Sequence, residues 1–261
     1  MNIMTNIKYY NLDTVNPYTD SSIFEYGRIY DISSTHIFVH NPSSNGVDYG
    51  DFKSISDQLI SGNIPEDYKI IRLLAPDADS VDIGSPVFLN DQVSFFNIHC
   101  PSGTNVADEM DTILSSVVVA TRNKGIDSYY RRNDVYEDND KKFCGILSQK
   151  WPNGSISYNF YITFKLDFDT IDNMADYTTW DNVSDSLSEI VNPIGSYIES
   201  SNRNGLLYNI AYEYAELKEE TLISGCTLSK SEETRLNTLR DNLSLDSWVT
   251  DLIHPEEGQQ Q

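Results

Sequence analysis

The sequence predicts an α+β fold: a mixed or antiparallel sheet with helices packed on it, followed by a small helical C-terminal accessory domain. Three observations predict it. Short apolar or alternating runs dominate residues 35–98 and 126–166, one long segment of helical period lies between them, and two more such segments close the chain. With 261 residues there is room for one substantial core and a small second one. The expected divisions are 1–175 for the main unit, 176–205 for a connecting segment, 206–252 for the accessory domain and 253–261 for a disordered tail.

In chain order, the first 30 residues are polar and rich in tyrosine, with a short helix expected over 21–30. Residues 35–40 (THIFVH) read as a strand closed by the turn formers of 41–46. A second apolar run covers 69–74, followed by an acidic loop through Asp82. Residues 86–89 and 92–98 suggest two strands joined by a tight turn at Asn90 and Asp91. Met110, Ile113, Leu114, Val117 and Val118 recur at helical spacing, and Gly125 stands where the helix should end. A strand through Tyr129, a hairpin turning at 138–140 and an alternating strand over 156–166 complete the sheet. Leu206, Leu207, Ile210, Ala211, Tyr214 and Leu217 line one face of a helix. Ser229 and Glu232 match a capping box that opens another helix, with Leu236, Leu239 and Leu243 on one face.

Composition narrows the function classes. The net charge is −22, from 40 acidic and 18 basic side chains. That field repels nucleic acids and anionic membranes, so neither is an expected partner, and any phosphate must be held by a local basic pocket. The three cysteines, Cys100, Cys144 and Cys226, lack metal-ligand spacing and read as reduced thiols. There is no signal-peptide pattern and no apolar stretch of membrane-spanning length, so a cytoplasmic protein is expected. No Walker loop or dinucleotide fingerprint is present, and Trp151, Trp180 and Trp248 read as packing residues. His36 and His40 share a strand face without further metal ligands. Cys144 has no histidine near it in sequence to activate it, and reads as a small packed residue.

The informative segment runs from Arg132-Asn-Asp-Val-Tyr136 through a turn to Lys141-Lys-Phe-Cys-Gly145. On a hairpin, Asn133 and Asp134 would lie across from Lys142, near a glycine that lets a ligand approach the backbone. An amide, a carboxylate and an ammonium in one small volume suit the activation of a carboxylic acid by a nucleotide. The acid and the α-phosphate are both anions, and a cation between them offsets their repulsion and stabilises the transition state. A nearby carboxylate can hold Mg²⁺. The same residues also fit a surface hairpin with an Asx turn and solvated lysines.

Asn-Asp-hydrophobic-Tyr, a short turn and Lys-x-x-Gly resemble the signature of the lipoate-protein ligase and biotin-protein ligase superfamily. The resemblance is stronger to lipoate-protein ligases. Leu166-Asp-Phe-Asp is similar to the stretch after their hairpin, Ile70-Ile-Arg72 to a strand preceding their substrate loop, and 228–248 to their accessory domain. The resemblance implies a class II synthetase-like ligase fold and ATP-dependent activation of lipoate, or a similar acid, with transfer to a lysine of a lipoyl-domain protein. It implies Lys142 as the catalytic lysine, with Asn133, Asp134 and Arg132 toward the nucleotide and its Mg²⁺, and Asp134 as the metal carboxylate. Arg72, Gly84 and Gly145 would line the acid pocket.

Departures stand beside these matches. Where the family has a double arginine, a run of three glycines and a histidine, Arg72 is followed by Leu73, and the loop reads Asp82-Ile-Gly-Ser-Pro86. Neither Leu89 nor Asn90 supplies the histidine. Glycines admit close approach of backbone to a bound acid, so the pocket is reshaped or lost. The alternatives are therefore a biotin-protein ligase, or a pseudoenzyme that binds a protein or nucleotide partner without chemistry.

Overall fold

The computed structural model describes residues 6–15, 23, 26–29, 32–42, 46–48, 69–70, 87–89, 93–166, 189, 191–199 and 202–242. Strands β1 (Asn6–Val15), β2 (His36–Pro42), β3 (Gly46–Asp48), β4 (Lys69–Ile70), β5 (Val87–Leu89) and β6 (Val93–Cys100) come first, with a short helix α1 (Tyr26–Ile29) before β2. Helix α2 (Val106–Arg122) leads to β7 (Ser128–Arg131), β8 (Asp134–Glu137), β9 (Lys142–Lys150) and β10 (Ile156–Thr163). Then follow α3 (Arg203–Leu217), β11 (Thr221–Ile223) and α4 (Lys230–Asn242).

The main sheet has eight strands in the order β11-β1-β2-β6-β10-β9-β8-β7, and a second sheet has the order β4-β3-β5. β1 runs parallel to both β2 and β11, while every pairing from β2 to β7 across the main sheet is antiparallel. The predicted mixed sheet is thus met. One expected pairing is not: β5 joins β3 in the small sheet and β6 lies in the main sheet, so these neighbours in sequence do not form a hairpin with each other. The turn expected at Asn90 and Asp91 lies outside the described residues, as do Leu243 and the 253–261 tail.

Sheet residues Ile7, Ile37, Val39, Phe96, Ile98, Phe160 and Ile162 share one core with the apolar faces of α2 and α3. The period read from the sequence is realised in α2, where Met110, Ile113, Leu114, Val117 and Val118 are buried. Asn105 caps this helix by accepting from the backbone N–H of Ala107 and Asp108. At its other end Gly125 takes φ +82°, and Ile126 N–H donates to the Thr121 carbonyl, which closes the helix. Glu109 of α2 is buried and accepts from Lys218 Nζ at 2.6 Å and from the Tyr214 hydroxyl, tying α2 to α3.

The opposite sheet face carries a second cluster of Tyr10, Tyr26, Ile23, Phe38 and Leu236. Helix α4 reaches it through the predicted capping box: Ser229 N–H donates to Glu232, and Glu232 N–H donates to Ser229 Oγ. Helix α3, β11 and α4 all fall within the 203–242 stretch, and each packs against or pairs with the main sheet. No described helix is long and apolar enough to cross a membrane.

Candidate active site

Two successive hairpins build the site. β7 and β8 join at a turn of Arg132 and Asn133, with Arg132 at φ +58°, and β8 and β9 join at the predicted turn, where Asp140 N–H donates to the Glu137 carbonyl. The pairing between β8 and β9 departs from expectation. Asp134 lies opposite Gly145, Val135 opposite Cys144, and Tyr136 opposite Lys142, so Phe143 is an extra residue in the ladder. This bulge has a consequence for the chemistry. Strict alternation would send Lys142 and Gly145 to opposite faces, whereas a bulge rotates the strand and brings both to one face.

There the lysine finds its partners. Lys142 Nζ lies 2.6 Å from Asp134 Oδ1, with about a quarter of each side chain exposed (26% and 29%). The other Asp134 oxygen accepts from the Tyr136 hydroxyl at 3.3 Å. The Lys142 ammonium sits 5.9 Å from the centre of the Tyr161 ring, within hydrogen-bond reach of its hydroxyl. Tyr161 lies opposite both Gly145 on β9 and Phe95 on β6, so it floors the same face. A Cβ on Gly145 would meet Lys142 Nζ at 2.8 Å and the Tyr161 hydroxyl at 3.0 Å; the bare glycine is what leaves room for the ammonium.

Burial pulls the Lys142 pKa down, but Tyr161 and Asp134 outweigh it and hold the ammonium above the ordinary lysine value. The cation therefore persists at neutral and alkaline pH. Burial pushes the Tyr161 hydroxyl up, so it stays neutral and able to donate. Cys144 is fully buried and burial drives its thiol up as well, in keeping with a packing residue rather than a nucleophile.

Lys142, Asp134 and Gly145 are thus brought together. Asn133 is exposed at its turn, where its carbonyl accepts from Ile146 N–H. Arg132 is exposed at the same turn, while its neighbour Arg131 places its guanidinium 4.8 Å over the Tyr136 ring. Arg72 and Gly84 lie outside the described residues. Tyr161 and the bulge were missed by sequence reasoning. The tyrosine sits at an unremarkable place in an alternating strand, and only the register with β9 brings it to the lysine.

Beside the lysine, residues 191–192 take over as β9's neighbour beyond the end of β10, with Asn192 N–H donating to the Lys142 carbonyl at 3.0 Å. A cavity of about 350 Å³ lies on the far side of this bridge, lined in part by Phe164, Asn192 and Arg203 and by none of Lys142, Asp134, Gly145 or Tyr161. Arg203, in the first turn of α3, is locked by donation to Ser94 Oγ and Asn41 Oδ1 and by stacking on Phe164.

The fold has counterparts among solved structures. A bipartite lipoate protein ligase from Thermoplasma acidophilum, described with its E2 lipoyl domain, superposes with a TM-score of 0.71 over 95% of this chain and 97% of that one, at 16% identity. The chain has the lipoate-protein ligase fold. A lipoate-protein ligase A crystallised with ATP gives 0.70 over 95% of this chain and all of that one, at 14% identity. A T. acidophilum protein with bound lipoic acid gives 0.64 over 91% and 96%, at 13% identity. At such identities the likeness is one of fold, and it agrees with the superfamily resemblance read from the hairpin. No family model and no curated protein sequence matches the chain.

Proposed function

We propose that the protein is a lipoate-ligase-like enzyme that activates a carboxylic acid with ATP and transfers the acyl group to a lysine of a lipoyl-domain protein. The observation that carries this reading is the partly exposed Lys142 ammonium, held by Asp134 and Tyr161 on one face of a sheet with the ligase fold. In the first step an oxygen of the carboxylate attacks the α-phosphorus of ATP, and the bond to pyrophosphate breaks. Lys142 lowers the repulsion between the two anions and stabilises charge on the phosphorus oxygens. The Tyr161 hydroxyl donates beside it. In the second step the acceptor amine attacks the acyl carbon and AMP leaves.

Asp134 would contribute to holding Mg²⁺. Among the described residues no group of three His, Cys, Asp or Glu is placed to hold a metal. Asp134, whose oxygens pair with Lys142 and the Tyr136 hydroxyl, would offer its carboxylate to a magnesium ion brought by ATP. When bound, that ion supplies positive charge to the phosphates. Asn133 and Arg132 flank the hairpin from which they would meet the nucleotide, Gly145 gives the backbone approach, and Arg72 and Gly84 complete the proposed acid pocket.

The rival reading is a binding protein without chemistry, favoured by the pairing that already engages Lys142 with Asp134. Thermal unfolding with MgATP, lipoate, biotin and pairwise mixtures, followed by mass spectrometry of an added lipoyl domain, separates the readings. Joint stabilisation by MgATP and an acid, with an acyl mass gained by the domain, is expected. Stabilisation without adenylate or mass gain would identify the binding protein.

A further inference from the structure

The sheet face that carries Lys142 holds polar side chains that acid activation leaves unused. Register places them in rows. One row runs His40, Phe95, Tyr161, Gly145, and another runs His36, His99, Ser157, Gln149. Between them lies Phe38, Asn97, Asn159, Leu147: two amides side by side, with an apolar residue at each end.

The two polar rows of β6 and β10 differ in how their groups are satisfied. Ser157 Oγ accepts from Trp151 Nε1 at 2.6 Å and lies 2.8 Å from His99 Nδ1, so the hydroxyl is satisfied, while His99 Nε2 and His36 Nδ1 in the same row have no partner among the described residues. Asn97 is fully buried, yet neither its Oδ1 nor its Nδ2 has a hydrogen-bond partner among the described residues. Asn159 is 2% exposed, and its Oδ1 is likewise unpartnered. Amides directly opposite on antiparallel strands have Cβ atoms about 5 Å apart, so they bracket a common point above the sheet. Buried polar atoms are almost always paired, and two such amides together call for a partner that binds between them.

We propose that Asn97 and Asn159 read the far end of the acid that Lys142 activates, and that this acid carries a carboxamide-like hydrogen-bonding group in place of a plain alkyl or dithiolane end. The inference rests on the acyl-adenylate reading above. Its geometry is set by β10. Asn159 and Tyr161 are two residues apart on one face, about 7 Å along the strand. A carboxylate beside Lys142 and Tyr161 thus places atoms several bonds down its chain over the amide pair. Phe38 and Leu147 would pack against the intervening methylenes and sides of the end group. An end group without donors or acceptors leaves both amides unpaired, and so is discriminated against strongly.

The test is ATP–pyrophosphate exchange with matched acids: octanoate, lipoate and suberamate, which is octanoate ending in a carboxamide. The wild-type protein is expected to favour suberamate in kcat/KM by about a hundredfold. Asn97→Leu and Asn159→Leu are each expected to reverse the order, and Asn97→Leu to unfold at an equal or higher temperature without ligand, because no described hydrogen bond is lost. A merely structural amide would instead lower that temperature and leave the ranking alone, which overturns the inference. Exchange with octanoate or lipoate and no preference for the amide overturns it while sparing the ligase reading. Thermal stabilisation by suberamate without exchange by any acid overturns the ligase reading and keeps the amide pair as an acid site. No response in either assay overturns both.

Discussion

Replacing Gly145 by alanine is a one-atom perturbation aimed at the ammonium. The added Cβ would lie 2.8 Å from Lys142 Nζ, 2.9 Å from Cε and 3.0 Å from the Tyr161 hydroxyl. Ordinary contact begins at 3.4 Å, so Lys142 Nζ must retreat by about 0.6 Å. The atoms in the way are mobile ends of side chains and no backbone is displaced, so the fold should tolerate the change. Removing a glycine from a strand also restricts the unfolded chain, worth about 0.4–1 kcal/mol in favour of folding. The chemistry should not tolerate it. The lysine is held by Asp134 at 2.6 Å on one side, and a displacement approaching 1 Å at a reacting centre costs about a hundredfold in rate. Gly145→Ala is therefore expected to lower pyrophosphate exchange by about tenfold to a hundredfold, mainly in kcat, with an unchanged thermal midpoint. Exchange within about twofold of wild type in a folded variant would refute the claim that ammonium position governs the reaction.

Other expectations follow from the same structure. His36 is buried among Tyr10, Tyr26 and Phe38, and burial, with Lys8 adding to it, lowers its pKa to about 4. Arg235 also opposes its charging and Glu232 favours it. Since the folded pKa lies below the unfolded value near 6.5, the stability is complete above pH 6.5 and is lost as pH falls toward 4. At pH 5 the loss is about 2 kcal/mol, so His36→Phe should reduce by that amount the difference in urea-unfolding free energy between pH 8 and pH 5; an identical difference would contradict the assignment. His99, lowered to about 3 by burial and by His36, adds to the same acid window. Lys218→Met strands the buried Glu109 carboxylate with only Tyr214, and should cost about 2–3 kcal/mol in urea unfolding, whereas Lys218→Arg should restore most of it. Asn105→Ala removes the α2 cap and should cost about 1 kcal/mol by the same measurement, with no effect on exchange.

What could be read from the sequence was local. The α2 periodicity with its terminal glycine, the 229–232 capping box and the 138–140 turn each rest on residues within a few positions of one another, and each took its expected form. Helix α3 begins at Arg203, before the first apolar residue of its stripe, because its opening turn of Arg203, Asn204 and Gly205 carries no periodic signal. Strand β1 escaped notice because its exposed half, with Asn11 and Asp13, breaks alternation, and its partners β2 and β11 are parallel and reached only by distant chain. In β6 all eight residues are buried, so two-sided burial hides which face each one serves. The site divides in the same way. Lys142, Asp134 and Gly145 are visible as a hairpin motif, but the bulge at Phe143, the Tyr161 partner and the Asn97–Asn159 pair depend on register across strands far apart in sequence.

The most direct measurement is acyl-adenylate formation in a single turnover, followed by mass spectrometry, with wild type and Lys142→Met at equal concentration. Methionine keeps much of the stem and removes the charge, so a matched thermal midpoint isolates the cation. Acyl-adenylate from wild type, and none above background from the folded variant, is the predicted result. Adenylate formed equally by both would contradict a role for this ammonium in joining the two anions.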